Sequence, residues 1–392
     1  MIERHSVPRR GCRTPAGCRA LAAAIALAAY TAGADVVPEE IRTRNLPPAT
    51  PSRVYVTDVT IGHIVDGRIH IVDADKSAYQ GMVSTALAGQ TALAPDRSEI
   101  YVATTYFSKL NRGERVDQVD VYDAATLALK AEIAIPPRHA QALPYRGTLR
   151  ASSDGRWLFV QNATPATSVS IVDLKARKFV AETALPGCWI ILPVPSAPNR
   201  FVTLCGDGTM EAVTVDADGK TSITRSAKFF DPDHDALFVS GEAIGDRYHF
   251  VSYRGNVYVA NVATDPPTVE APWPLVSAAE AKAGWRPGGY QPMTLHAASG
   301  RLYVGMHPKG REGSHKEPAR EIWAFDLATR KRVARAPGSA SIALAASREG
   351  PPRVYSIDGS KPGIVVYDAG GRLRIIRRMD GVGETPTQIE AH

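Results

Sequence analysis

Helical periodicity is scarce in this sequence of 392 residues. Residues 276–283 form the one segment with the composition of a short helix, and elsewhere apolar residues do not recur at helical spacing. Long apolar runs are also missing, because the run at residues 20–29 is shorter than the ~20 residues that a membrane span needs. These two absences argue against a helical bundle and against a membrane protein.

Basic residues are clustered only at the N-terminus. Five arginines lead into the apolar run and small residues follow it at 32–34, which is the pattern of a cleaved signal peptide over residues 1–34. A retained membrane anchor is the alternative. We expect export to the periplasm, with residues 35–50 as an N-terminal arm or tail and residues 51–392 as the folded domain.

The mature chain therefore has little excess positive charge. Residues 1–34 hold five arginines and one glutamate, so their removal lowers the formal net charge from +6 to +2. No basic stripe with interleaved aromatic residues remains, and a nucleic-acid partner is not expected.

Cysteine is rare. Of four cysteines, Cys12 and Cys18 would leave with the signal peptide, and Cys188 and Cys205 would remain, 17 residues apart. An oxidising compartment favours a disulfide between them, worth about 3 kcal/mol by loop closure. This bond would tie the end of the third repeat described below to the first strand of the fourth. A reactive thiol or a metal ligand is the alternative, but neither cysteine has a CxxC partner or a histidine cluster nearby.

Motifs that carry chemistry are missing as well. There is no GxGxxG after a strand, no Walker loop, no GxSxG elbow and no CxxCH haem site. Acidic residues at 231, 233, 235 and 242 have the spacing of a calcium loop, but Ala236 stands where the sharp turn needs glycine. His307 and His315 lie on a glycine-rich loop without a third ligand at tight spacing. We predict no metal site and no catalytic residue in this chain.

What the sequence does contain is two strand patterns that each recur seven times. The first is a short hydrophobic run, usually after a basic or turn residue, at 53–56, 99–102, 156–160, 200–204, 248–251, 301–304 and 353–357. The second is an alternating strand that ends at Asp73, Asp123, Asp173, Asp216, Asn261, Asp326 and Asp368. A period of about 40 to 50 residues with several strands per repeat is typical of propeller blades. The prediction is an all-β, seven-bladed β-propeller whose aspartates accept hydrogen bonds from turn amides.

Beyond this rhythm, an ordered set of segments resembles the heavy subunit of the quinoprotein amine dehydrogenases, the methylamine dehydrogenase heavy-chain family. The match covers roughly residues 50–370. It includes 104–115 (TTYFSKLNRGER), 161–173 (QNATPATSVSIVD), 187–189 (GCW), 205–208 (CGDG), 249–258 (HFVSYRGNVY), 284–290 (GWRPGGY), 300–304 (GRLYV), 307–310 (HPKG) and 321–323 (EIW). Within the family, the segments are more similar to the aromatic (aralkylamine) dehydrogenase heavy chain than to the methylamine one.

The resemblance implies a periplasmic heavy chain in a heterotetramer of two heavy and two small, cysteine-rich light subunits. The light subunit would carry tryptophan tryptophylquinone and the catalytic base, so this chain would bind no cofactor and would be inactive alone. The enzyme would oxidise a primary amine to an aldehyde and ammonia, then pass electrons to a cupredoxin such as azurin or amicyanin. A carbonyl cofactor is required because no ordinary side chain accepts two electrons from an amine carbon.

Two regions are candidates for contact with that partner. The family places an aromatic side chain near the quinone after the first strand of the first blade, and by motif this position falls on Ile61. Ile61 is therefore predicted to line the substrate channel. The longest step between repeats, from 261 to 326, contains the helical segment and the interface candidates Trp285, Arg286, His307 and His315.

Two other classes of protein are rivals. The alternative function is a non-enzymatic exported propeller that binds or scaffolds a partner, since one fold hosts many functions. A propeller dehydrogenase with its own pyrroloquinoline quinone is the second rival, but the tryptophan-docking motifs and metal ligands of that class are not found. A short, cysteine-rich, exported partner encoded nearby would favour the amine dehydrogenase.

Overall fold

Antiparallel β-strands dominate the chain. The computed structural model describes residues 45–141 and 144–392, and Asn45–His392 form one compact unit. The predicted signal peptide and residues 35–44 of the predicted arm lie outside the described residues. At the described end of that arm, the Leu46 amide donates to the carbonyl of Ala125 at 2.7 Å.

One sheet of seven strands joins the two ends of the domain. Its seven strands run in the order β28 (Pro386–Ala391), β1 (Arg53–Asp58), β2 (Gly67–Asp73), β3 (Ala78–Leu93), β4 (Glu99–Phe107), β5 (Arg115–Asp123) and β6 (Leu129–Ile135). The C-terminal strand β28 thus pairs with the first strand β1, with Val56 opposite Ile389.

Three sheets of four or five strands follow. The first contains β7 (Leu149–Ala151), β8 (Trp157–Asn162), β9 (Ser168–Asp173) and β10 (Lys178–Ala184). The second contains β11 (Cys188–Pro193), β12 (Arg200–Cys205), β13 (Met210–Val215) and β14 (Thr221–Arg225). The third contains β15 (Leu237–Ile244), β16 (Arg247–Ser252), β17 (Asn256–Asn261), β18 (Thr268–Val269) and β19 (Trp273–Pro274).

The last sheet has eight strands. They are β20 (Arg286–Pro287), β21 (Met293–His296), β22 (Arg301–His307), β23 (Ala319–Asp326), β24 (Lys331–Ala346), β25 (Arg353–Asp358), β26 (Gly363–Asp368) and β27 (Arg374–Asp380). The short helix expected near residue 280 is confirmed as α1 (Ala278–Lys282), which begins with a capping box between Ser277 and Glu280. Single-turn 3₁₀ helices occupy Ile61–His63, Arg146–Thr148, Ala297–Ser299 and Ser314–Lys316.

Two strands, each 16 residues long, pair with strands of two neighbouring groups. The first part of β3 pairs with β2 and its last residues pair with β4. Likewise, β24 pairs first with β23 and then with β25. When these two strands are divided at the change of partner, the pairings form seven antiparallel units of about four strands, numbered 1 to 7 here from the unit that contains β1.

The two sequence patterns correspond to the second and third strands of each unit. The hydrophobic runs fall on β1, β4, β8, β12, β16, β22 and β25, and the aspartate-ended strands fall on β2, β5, β9, β13, β17, β23 and β26. All six residues of β12 are buried, whereas β14 at the outer edge of the same unit is largely exposed. Sequence patterning therefore reveals the doubly covered strands and misses the first and fourth strands.

The repeated aspartates act in turns as expected. Asp123 accepts from the amides of Ala125 and Thr126 at 2.9 and 2.8 Å, and Asp326 accepts from the amide of Thr329 at 2.8 Å. Asx turns of this kind close the connection between the third and fourth strands. The repetition of aspartate is thus structural.

Each of the seven hydrophobic clusters lies between two consecutive units. For example, the rings of Phe159 and Phe201 pack between units 3 and 4 with their centroids 4.7 Å apart. One cluster joins the last unit to the first, with Ile364 and Val366 of unit 7 packed with Val54 and Val56 of unit 1. In the described part of the chain, no helix is both long and apolar enough to cross a membrane.

Candidate functional site

The turn between β1 and β2 carries Ile61, the predicted channel residue, and it is held by the carboxylate of Asp58. Asp58 is buried and accepts from the amides of Thr60, Glu384 and Thr385 at 3.0, 2.7 and 2.9 Å. The Nε2 atom of His70 lies 3.3 Å from its second oxygen. The carboxylate therefore ties the turn to the chain segment that enters β28.

These contacts control the ionisation of Asp58. Burial by itself would raise its pKa, but the hydrogen bonds from His70 and from three backbone amides outweigh burial and lower the pKa to about 2. The group is therefore a carboxylate at neutral pH. Donor groups that face a buried charge stabilise the ionised form, so the turn is held by charge-assisted hydrogen bonds.

Ile61 itself points away from the core. Its amide donates to the Thr385 hydroxyl at 2.8 Å, and the residue is 59% exposed. Ile64 on the same turn is also exposed. A fixed backbone thus presents two aliphatic side chains to the surroundings of the chain, which agrees with a residue that contacts something outside it.

Unit 2 presents a similar surface at the corresponding turn. Leu110, between β4 and β5, is 72% exposed. Tyr106 and Val116 lie opposite each other on β4 and β5 and are also exposed, and the Tyr106 hydroxyl donates to Asp120 at 2.7 Å. The polar end of Tyr106 is therefore satisfied while its ring is free to contact a partner. We call Ile61, Ile64, Tyr106, Leu110 and Val116 the turn patch.

The four other interface candidates come together in unit 6. Arg286 of β20 pairs in register with His307 of β22, and the amide of Gly289 donates to the carbonyl of His315 at 3.0 Å. These candidates therefore lie in one local region, at the same end of their unit as the turn patch.

Several side chains of this region are nevertheless buried and pack against other residues of the same chain. His307 is only 2% exposed in its side chain, and Trp285 packs partly buried at 5.1 Å from Trp323. Arg335 covers both indole rings at 5.2 and 4.8 Å. His315 stacks on Tyr253 at 4.4 Å. The His307 ring is enclosed by its own chain, and the role of this region as an interface remains a prediction.

The predicted disulfide between Cys188 and Cys205 is present. Its position differs from the expectation in one respect, because the two residues face each other on β11 and β12 within unit 4. The hydrophobic run at 200–204 is the second strand of its unit, so the bond joins two strands of one unit and does not tie the third unit to the fourth. Glu211 lies near both sulfur atoms, but the disulfide occupies them.

The residues with calcium-loop spacing are engaged in other contacts. Asp231 accepts from the amide of Asp233 at 3.0 Å, and Asp235 accepts from the Ser252 hydroxyl at 2.9 Å. Glu242 lies on β15 and forms an ion pair with Arg146. These acidic residues, although spaced as in a calcium loop, therefore take part in one turn and in two unrelated contacts.

Comparison with known proteins decides the family. The family model described as methylamine dehydrogenase heavy chain matches residues 50–391. This chain belongs to the methylamine dehydrogenase heavy-chain family. The match includes the turn patch, unit 6 and the disulfide, and it confirms the family resemblance seen in the sequence segments.

Curated relatives within this family match at modest identity. The chain is 27% identical over 343 residues to a methylamine dehydrogenase heavy chain of Methylobacillus flagellatus, covering 87% of this chain and 84% of the relative. It is 26% identical over 382 residues to that of Methylophilus methylotrophus, covering 94% and 93%. The similarity thus extends over most of the length of both relatives.

Solved structures with a similar fold are more distant. The dihydro-heme d1 dehydrogenase NirN superposes with a TM-score of 0.57 at 17% identity, covering 90% of this chain and 77% of that one. The WD40 repeats of RRP9 superpose with a TM-score of 0.51 at 12% identity, covering 76% and 82%. At such identities these structures support a propeller-like all-β fold and carry no information on function.

Sequence reasoning did not identify Asp58 as the residue that positions the candidate channel. Its hydrogen-bond partners Glu384 and Thr385 are more than 300 residues away. No local motif signals such a contact, because it depends on the pairing of the C-terminal strand with the first strand. Only the folded chain brings these groups together.

Proposed function

We propose that this chain is the heavy subunit of a periplasmic, tryptophan tryptophylquinone-dependent amine dehydrogenase, and the family match over residues 50–391 carries the proposal. A light subunit would hold the quinone, which supplies the acceptor for the two electrons removed from the amine carbon. The heavy chain would bind the light subunit, shape the path of the amine and exclude water from the reaction.

We further propose that the seven units close into a seven-bladed propeller. Support comes from the cluster between units 7 and 1 and from the pairing of β28 with β1. Side-chain amides also link different units, since Gln291, just before β21, donates to the carbonyls of Leu344 and Ile389 at 2.6 and 2.9 Å, and Gln388 donates to the Thr91 hydroxyl at 3.1 Å. A closed ring removes exposed sheet edges and makes a rigid base for a partner.

The turn patch is the surface that we assign to the light subunit. It combines aliphatic and aromatic side chains that gain free energy when they leave water. A neighbouring feature also supports this assignment, because Tyr79 and Met82 on β3 of unit 1 are about half exposed. Large exposed apolar side chains concentrated on adjacent units are typical of a protein-binding surface.

Ile61 bears on the choice of amine. In the family, this position carries an aromatic side chain near the quinone, and the resemblance places isoleucine there in this chain. An aliphatic side chain occupies less volume and offers no ring face, so we propose a wider channel that admits aromatic or aralkyl amines. Electrons would then pass from the quinone to a cupredoxin.

Purification of the tagged chain from the periplasm of its own host tests the proposal. We expect a small cysteine-rich subunit to co-purify in a two-to-two complex whose quinone absorbance changes when a primary amine is added. Deletion of the light-subunit gene should leave the heavy chain folded but inactive. Isolation of the chain alone, with no quinone absorbance under any primary amine, would refute the enzyme function and favour the scaffold alternative.

A further inference from the structure

A second feature of the fold lies away from the turn patch. A cavity of about 430 Å³ is lined by first strands of several units and by the turns that lead from first to second strands, including Pro95, Pro195 and Ser347. Since adjacent strands are antiparallel, these turns lie at the opposite end of the units from Ile61. The cavity is therefore separate from the proposed amine channel.

Charged side chains from several units meet in this cavity. Four of the lining residues are arginines and two are glutamates: Arg97, Arg146, Arg150, Arg348, Glu242 and Glu390. Arg97 and Glu390, which are in contact, are 293 residues apart in the sequence. With every group ionised, the six residues carry two positive charges in excess.

One carboxylate is shared among three of the arginines. Glu390 Oε1 lies 3.3 Å from Arg97 Nη1, 3.5 Å from Arg348 Nη2 and 3.8 Å from Arg146 Nη2. Arg146 also contacts Glu242. Two carboxylates are therefore divided among more guanidinium donors than they can satisfy.

Several donors consequently have no partner in the described part of the chain. The side chains of Arg97 and Arg146 are 10% and 17% exposed. Nη2 of Arg97 and Nε of Arg146 have no hydrogen-bond acceptor among the described residues. Arg150 forms no ion pair with any described residue. Enclosed guanidinium groups without acceptors cost free energy, and a bound anion would remove that cost.

The ionisation of the cluster agrees with a shortage of negative charge. Enclosure by the protein, together with the positive charges of Arg97, Arg146 and Arg150, lowers the pKa of Arg348 to about 10. Burial would raise the pKa of Glu390, but the surrounding arginines outweigh it and lower the pKa to about 2. Crowded positive charge therefore contributes to both shifts, and burial is the larger cause for Arg348.

We propose that this cavity binds a small multivalent oxyanion of the phosphate or polycarboxylate class. Guanidinium groups match the paired oxygens of both classes through bidentate hydrogen bonds. A volume of about 430 Å³ is within the usual range of small-molecule sites. The excess positive charge opposes entry of a protonated amine, so this site is not a second substrate pocket.

Isothermal titration calorimetry of the purified protein, as it is isolated from the periplasm, tests this proposal. Inorganic phosphate and citrate are titrated separately in a low-salt buffer that contains neither. Saturable binding of either anion supports the site, and the tighter of the two identifies the phosphate or the polycarboxylate class. No saturable binding of either anion by the wild-type protein would overturn the proposal.

Three variants locate the binding. Arg150→Gln breaks no described ion pair and should weaken binding about tenfold or more, because one charge-assisted contact is lost. Glu242→Gln should strengthen binding by releasing Arg146. Arg377, exposed on β27, is the matched control, and Arg377→Gln should leave affinity unchanged. Equal weakening by Arg150→Gln and Arg377→Gln would show general surface attraction and refute the site.

Discussion

Replacement of Asp58 by asparagine tests whether one carboxylate fixes the candidate channel turn. Both oxygens are in use, since one accepts from the amides of Thr60 and Thr385 and the other accepts from the amide of Glu384 and lies beside His70. Asparagine keeps the size but replaces one acceptor with an NH₂ group that must face a donor. We therefore expect a less stable protein whose β1–β2 turn is more mobile.

The pKa of Asp58 sets the size of the effect. It falls from 3.8 to about 2 on folding, which corresponds to a stabilisation of about 2 kcal/mol. Because the folded-state pKa is the lower one, this contribution is complete above the unfolded value and is lost as pH falls toward about 2. Between pH 5 and pH 3, the loss is about 1 kcal/mol.

Urea unfolding of the wild type and of Asp58→Asn, at pH 5 and at pH 3, measures this contribution. The variant should be less stable by about 2 kcal/mol at pH 5, and the difference should shrink by about 1 kcal/mol at pH 3. Asp218, exposed in the β13–β14 turn, is the control, and Asp218→Asn should change stability by less than about 0.5 kcal/mol. A difference for Asp58→Asn that is the same at both pH values would refute the reasoning.

Three further predictions concern the disulfide and the turn patch. Replacing both Cys188 and Cys205 by serine should lower the free energy of unfolding by about 3 kcal/mol through loop-closure entropy. Chemical unfolding with and without reductant measures this change. An unfolding midpoint equal to that of the wild type would contradict the prediction. Ile61→Phe should narrow the channel and change the ranking of kcat/KM between small and bulky amines in the assembled enzyme, whereas Val333→Phe, at an exposed position on β24, should not. Leu110→Asp should weaken association with the light subunit about tenfold or more, because a charge replaces an apolar side chain that the proposed interface would bury. Val333→Asp is its control in analytical ultracentrifugation, and equal effects of the two would rule out the turn patch as the interface.

Local patterns carried the sequence predictions that hold in the structure. The doubly buried second and third strands stand out as hydrophobic and aspartate-ended runs, and Ser277 with Glu280 marks the start of α1. Cys188 and Cys205 are the two cysteines of the folded domain at residues 51–392, so their pairing needed no knowledge of the fold. All of these features depend on residues that are close together in the chain.

Long-range packing decided the rest. His307 was expected on an interface loop, but pairing of β20 with β22 encloses it, and Trp285 packs against Trp323. Fourth strands escaped notice because one of their faces is in water, which leaves no continuous apolar run. Burial of a single side chain depends on which strands become its neighbours, and sequence spacing does not encode that.

The amino-acid sequence by itself determined the all-β class, the period of the repeats, the disulfide and the family. Tertiary structure alone decided how residues from distant repeats combine, as Asp58 does with the amide of Thr385 and as Arg97 and Arg348 do with Glu390. The physical reason is that repeat identity follows from local burial and turn chemistry, whereas these charge contacts exist only after distant units are brought side by side. Both the turn anchored by Asp58 and the arginine-lined cavity depend on these contacts between distant units.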